Sequence, residues 1–188
     1  MWEIARKQTR AVFEGHRKSA TTIFFSPNSR FLVAGDGDGS VRIWSIRDGS
    51  SKELIDDAKN VLSVAFSPDG QYVASVDVHG WLRIWDTRTG QIVDTWEGHA
   101  RDAFCVAFSP DGKGLVSGSG DAILRYWDVS SLAVMKASRA RVVGGPPGQK
   151  FQQIRTFEGH EARNFGALPL TEFDTTSVGT NSVCFLFA

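Results

Sequence analysis

Cysteine is scarce in this chain: 188 residues contain two, Cys105 and Cys184, each inside an apolar stretch. That supplies neither a disulfide framework nor a zinc site, and it points to a reducing compartment. A surplus of charge is missing too, since 21 Lys and Arg balance 21 Asp and Glu. Nothing global therefore draws the chain onto nucleic acid or an anionic membrane. No apolar run approaches the roughly 18 residues of a membrane span, and the opening MWEIARKQTR lacks the apolar centre of a signal peptide. The expectation is a soluble, intracellular protein with no direct contact to nucleic acid or membrane and no call for a cofactor or metal. What is abundant is six Trp, thirteen Phe and nineteen Gly, the composition of many short strands joined by tight turns.

Laid against itself, the chain repeats. GSVRIWSI (39–46), WLRIWDT (81–87) and ILRYWDV (123–129) align on Trp44, Trp85 and Trp127, separated by 41 and 42 residues. That spacing falls within the period of roughly 40 to 45 residues of four-stranded propeller blades. Ser26-Pro27, Ser67-Pro68 and Ser109-Pro110 recur in the same register, and Gly-His pairs place His16 and His99 each 28 residues before a repeat Trp. In the third repeat, AFCVAF (103–108), GLVSG (114–118) and ILRYW (123–127) alternate as strands, while IVDTW (92–96) supplies an outer strand before the Gly-His. SPDG and SGSGDA form the intervening turns, with Gly at positive φ.

These landmarks resemble the WD-repeat family from residue 2 to about residue 160. The resemblance implies an all-β fold, an incomplete WD40-type β-propeller of about three four-stranded antiparallel blades in an open arc, with one leftover strand at each end. It also implies a hydrogen-bonded ladder of His, Ser, Asp and Trp in each repeat. The third repeat carries His99, Ser117, Asp121 and Trp127. The first keeps His16, Asp38 and Trp44 but has Ala34 in place of Ser, and the second keeps Ser75 and Trp85 but has Asp57 and His79 at the His and Asp positions.

A Ser, a His and an Asp in one repeat also invite a hydrolase reading. A nucleophile needs an accessible hydroxyl beside a base and an oxyanion hole. Ser117 falls in mid-strand beside Trp127, so the structural reading is preferred and no catalytic residue is assigned. His16, His99 and His160 belong to different blades and offer no metal site. The Ser-Pro pairs fit turn chemistry better than phosphorylation because they recur at one place in the repeat. GDGDGS (35–40) and GSGDA (118–122) lack the Lys-Ser/Thr ending and following helix of a phosphate loop.

Blades bury their faces against one another, so function is expected in the loops at the ends of the central channel. Arg17, Lys18, Lys59, Asn60, Arg101 and Asp102 follow the Gly-His positions. Asp36, Asp77, His79 and Gly120 lie between second and third strands at the same end. Together they form the candidate partner-binding face, of mixed charge. Residues 130–152 read as a flexible Gly/Pro-containing insert with a weak basic stretch, KASRAR, and 161–188 as a divergent tail without the repeat.

KGLVSGSGDAILRYWDVSSL (113–132), the insert and TFEGH, with residues 72–119 before them, resemble the C-terminal propeller of fungal Tup/Groucho-type transcriptional corepressors. That likeness implies a nuclear module docking other proteins, DNA-bound repressors or histone tails. The alternatives are a cytoplasmic scaffold, a ubiquitin-ligase or signalling substrate receptor, or a truncated propeller without function. The oligomeric state stays open.

Overall fold

The computed structural model describes residues 2–3, 8–9, 11–54, 58–132 and 152–158. Asp57, His160, most of the insert and the 161–188 tail lie outside the described residues. Strands β1 (Trp2–Glu3) and β2 (Gln8–Thr9) form an antiparallel pair. Three four-stranded antiparallel meanders follow. The first holds β3 (Ala20–Phe25), β4 (Phe31–Asp36), β5 (Val41–Ser45) and β6 (Ser51–Leu54). The second holds β7 (Val61–Phe66), β8 (Tyr72–Asp77), β9 (Trp81–Asp86) and β10 (Ile92–Glu97). The third holds β11 (Ala103–Phe108), β12 (Gly114–Ser119), β13 (Ile123–Asp128) and β14 (Gln152–Glu158). This is the expected all-β set of three blades. One expectation is corrected: the strand beyond the insert is not left over, because β14 pairs with β13 and closes the third sheet. Without it β13 would present an open edge of unpaired backbone groups.

The Ser-Pro positions show why the β-strands turn where they do. Ser67 Oγ donates to Asp69 at 2.7 Å and accepts the Tyr72 N–H at 3.0 Å, and Gly70 takes φ 69°. Gly112 does the same at φ 69°, whereas the first repeat places Ser29 there at φ 57°. Ser26 and Ser67 are buried with their hydroxyls committed to the turn. The recurrence of Ser-Pro is thus turn chemistry.

Two apolar cores lie between the sheets. Val33, Val41 and Ile43 of the first blade meet Val64, Phe66 and Trp85 of the second. Ala74, Leu82 and Ile84 of the second meet Val106, Phe108 and Trp127 of the third. Each innermost strand carries a register shift near its start, at Ala20/Thr22, Val61/Ser63 and Ala103/Cys105. Just past each of the first two shifts a hydroxyl reaches the next blade: Thr22 Oγ1 accepts the Val64 N–H and Ser63 Oγ accepts the Val106 N–H, both at 3.3 Å. The blades are therefore joined by polar links as well as by apolar packing.

Candidate functional site

In the third blade β12 and β13 set Ser117 and Trp127 on one face, and the segment entering β11 lays His99 across them. Trp127 Nε1 donates to Ser117 Oγ at 2.9 Å, and Ser117 Oγ lies 2.7 Å from His99 Nε2. His99 Nδ1 faces the Asp121 carboxylate at 3.1 Å. Because the carboxylate only accepts, Nδ1 carries the proton and Nε2 accepts from the Ser117 hydroxyl, a tautomer assigned from Asp121 and Ser117; Arg125 Nη1, itself only a donor, also lies against Nδ1. The chain of donors then runs in one direction from indole to carboxylate, and bonds so aligned polarise one another. Burial pushes the His99 pKa below its ordinary value and outweighs the opposing pull of Asp121. Burial alone would raise the Asp121 pKa, but hydrogen bonds from Arg125 and His99 prevail and lower it. Ser117 is fully buried with its hydroxyl engaged, so no substrate carbonyl can reach it.

The other blades vary this arrangement. In the second, Trp85 Nε1 donates to Ser75 Oγ at 2.9 Å, and a buried ion pair, Arg83 Nη1 to Asp77 Oδ2 at 2.7 Å, takes the place of the His–Asp link. His79, expected to replace the ladder Asp, is exposed. In the first blade His16 pairs not with Asp38 but with Asp36, Nδ1 to Oδ2 at 2.8 Å. The ladder assignment of Asp38 is thereby corrected, and the cause lies in the neighbours. Arg42, register partner of Glu53 on β6, bonds that carboxylate instead of turning back to the loop. Asp36 is left for His16, while Asp38 is exposed and pairs with Lys18 at 3.0 Å.

Ala34 leaves a mark of its own. Trp44 Nε1 is redirected to the Glu14 carbonyl at 3.0 Å, and His16 Nε2 is buried without a hydrogen-bond partner. Ala34→Ser is therefore expected to stabilise the chain by about 1 kcal/mol. The check is a higher denaturant midpoint with an unchanged slope.

Arg42, Arg83 and Arg125 occupy one register, two residues before each repeat Trp, and were missed as ladder members. Arg83 and Arg125 bind the turn carboxylates, and only Arg42 turns away. Their common spacing was a visible signal, but the carboxylate each would choose was not.

The candidate loop face is also redrawn. Arg17, Lys18, Lys59, His79, Arg101 and Asp102 are exposed, and Asn60 and Gly120 are partly so. Asp36 and Asp77 are buried, which removes them from any partner-binding surface. Each uses one carboxylate oxygen to cap its own turn: Asp36 Oδ1 accepts the Asp38 and Ser40 N–H groups, and Asp77 Oδ1 those of His79 and Trp81. The other oxygen takes the His16 or Arg83 partner described above.

Repeated four-stranded sheets, a Trp-Ser-His-Asp ladder and loops gathered at one end define a β-propeller of the WD class, here incomplete. The chain belongs to the WD domain, G-beta repeat family, whose model matches residues 7–45, 51–86 and 90–128, more than half of its length. Each matched segment begins before the innermost strand of its blade, so the sequence repeat and the blade are out of step.

Among similar proteins, Protein ROOT INITIATION DEFECTIVE 3 of Arabidopsis thaliana is 39% identical over 46 residues, covering 24% of this chain and 10% of the relative. Pre-mRNA-processing factor 19 of Caenorhabditis elegans is 29% identical over 56 residues, covering 30% and 11%. The target of rapamycin complex subunit LST8 of Saccharomyces cerevisiae is 38% identical over 40 residues, covering 21% and 13%. The solved structure titled "Structure of U3-55K" superposes with a TM-score of 0.67 at 25% identity, over 81% of this chain and 43% of that one. The matches thus span about a tenth of the curated relatives and under half of the solved structure.

Proposed function

We propose that the chain is a protein-interaction scaffold whose loop end receives an acidic segment of a partner protein. The observation that carries this is the burial of Asp36 and Asp77. With those two withdrawn, the exposed charges among the described residues of the candidate loops are Arg17, Lys18, Lys59 and Arg101 against Asp38 and Asp102. Among these residues cations outnumber carboxylates, while Asp56 and Asp57 of the same loops lie outside the described residues. A surplus of one sign steers partners of the opposite sign and rejects its own.

The finer reading is a corepressor-like module in the nucleus, docking acidic segments of DNA-bound repressors. Its support is the likeness of residues 72–132 to Tup/Groucho-type propellers. Histone tails, being basic, fit this face less well. A generic cytoplasmic scaffold is the second reading, favoured by the diversity of the relatives' names, which refer to pre-mRNA processing and to a target of rapamycin complex subunit.

The test measures fluorescence anisotropy of an acidic and a basic peptide of equal length against the purified chain. Binding of the acidic peptide is expected to weaken with added salt and to fall roughly tenfold in an Arg17→Glu, Arg101→Glu variant. Preference for the basic peptide, or binding of neither, would sink the acidic-partner reading. Imaging of a tagged chain separates the finer readings, nuclear accumulation supporting the corepressor and cytoplasmic retention the alternative.

A further inference from the structure

At the end of the blades that carries the Ser-Pro turns, the two junctions inside the chain are built alike but finished differently. Tyr72 opens β8 and Phe31 opens β4. Strand alternation turns Tyr72 with Ala74 toward the third blade and Phe31 with Val33 toward the second. Both rings belong to junctions whose two blades are present. Yet Tyr72 is 3% exposed and Phe31 is 41% exposed.

The cause lies five residues beyond the repeat Trp of the following blade. In the third blade that residue is Leu132, buried in one core with Tyr72 and Val129, and its carbonyl accepts the Tyr72 hydroxyl at 3.2 Å. In the second blade it is Gly90, which brings no side chain, and the space beside it is taken by Lys52 and Leu54. Thr87 stands where the third blade has Val129, and its hydroxyl turns away to the Gly70 and Gln71 carbonyls, both at 3.0 Å. Phe31 therefore lines a notch between the first two blades. Toward the inner strands Pro27 packs over Gly70. Toward the outer strand Lys52 Nζ donates to the Arg88 carbonyl at 2.8 Å.

Positive charge gathers on the same turns. Arg30, Arg47, Lys52 and Arg88 are exposed, and among the described residues no ion pair takes any of them. The exposed carboxylates there, Asp48 and Asp69, each cap their own turn through the Ser50 and Gln71 N–H groups. The corresponding turns of the third blade reverse the balance, with Asp111 and Asp128 exposed against Lys113.

We propose that the Phe31 notch receives a leucine side chain from a partner-protein segment with aspartate or glutamate on both sides of that leucine. Leucine is the side chain that the fold itself seats against the equivalent ring, as Leu132 on Tyr72. Carboxylates are what the surrounding bases select. The basic stretch of the chain's own insert, KASRAR, has the wrong sign for this rim. Phenylalanine offers no hydroxyl to the incoming backbone, so affinity rests on apolar burial and on charge. The notch is at the opposite end of β4 from the β4–β5 turn, and so is separate from the loop face of the proposed function.

The experiment measures fluorescence anisotropy of two peptides against the full chain, one with a leucine within a run of glutamates and one with alanine in its place. The leucine peptide is expected to bind roughly tenfold more tightly. Phe31→Ser, or Arg30→Glu with Arg88→Glu, is expected to erase that preference, with far-UV circular dichroism confirming that each variant keeps its β signal. The Arg17→Glu, Arg101→Glu variant alters the other end and should leave the preference intact, which separates this site from the loop face. Equal affinity for the two peptides, a leucine preference that survives both notch variants, or no binding of either peptide would each overturn the proposal.

Discussion

Ser117→Ala is expected to cost about 2 to 4 kcal/mol of stability, because one hydroxyl serves two buried groups. Trp127 Nε1 loses its acceptor and His99 Nε2 its donor in a single change. Leaving a buried polar group unpaired costs roughly 1 to 3 kcal/mol each. The first blade sets the lower bound, since with Ala34 the indole finds the Glu14 carbonyl while the imidazole Nε2 stays unpaired. The third blade relaxes less readily because its His99 is buried and already tied to Asp121. A thermal melt comparing Ser117→Ala with Ser75→Ala isolates the imidazole's share, because Ser75 bonds Trp85 in a blade whose ladder has no His.

The same ladder sets an acid sensitivity. His99 has a folded-state pKa below its ordinary 6.5, so the unfolded chain takes up the proton first as pH falls. Stability is fully present above about pH 6.5 and declines below it. Asp121, also lowered from 3.8, adds a second loss only as pH falls further, below the ordinary carboxylate range. Melting midpoints measured between pH 7.5 and 5 should drop towards acid. An unchanged midpoint over that interval would mean that folding leaves the His99 pKa where it is in the unfolded chain, and a rising one that the fold holds His99 protonated.

The architecture was readable because it repeats. Three Trp, three Ser-Pro turns and two Gly-His pairs share one register, and strand alternation follows from burying both faces of each sheet. The site was only partly readable, for reasons that concern competition between neighbours. GDGDGS offers two aspartates two residues apart, and which one His16 takes depends on where Arg42 goes. That in turn depends on Glu53, eleven residues on and one strand away. The charge balance of the loop face rested on the same choice, since an aspartate capping its own turn is buried while one two residues later is free to pair with Lys18. Self-alignment finds positions that recur. It does not find partners that differ from blade to blade.

Gly80→Ala is expected to destabilise the chain by about 3 kcal/mol or more, combining two penalties at one residue. Gly80 has φ +76°, where a side chain costs roughly 1 to 2 kcal/mol. Its added methyl would also run into the carbonyls of His99 and Arg101. Those carbonyls cannot simply withdraw, because the Gly98 and His99 N–H groups donate to the Gly80 carbonyl at 3.0 and 3.1 Å and hold the two segments together. Gly39 repeats the arrangement in the first blade, at φ +95° against the Ala58 carbonyl. The third blade has Ala122 in this register, at φ +66°, so the chain itself tolerates the backbone strain where a methyl is already accommodated. Ala122→Gly should therefore gain no more than about 1 kcal/mol, the strain relieved less the unfolded-chain entropy that glycine adds, and the excess loss in Gly80→Ala measures the close approach of the His99 segment. Equal and opposite effects at the two positions would show that conformation, and not contact, requires glycine there.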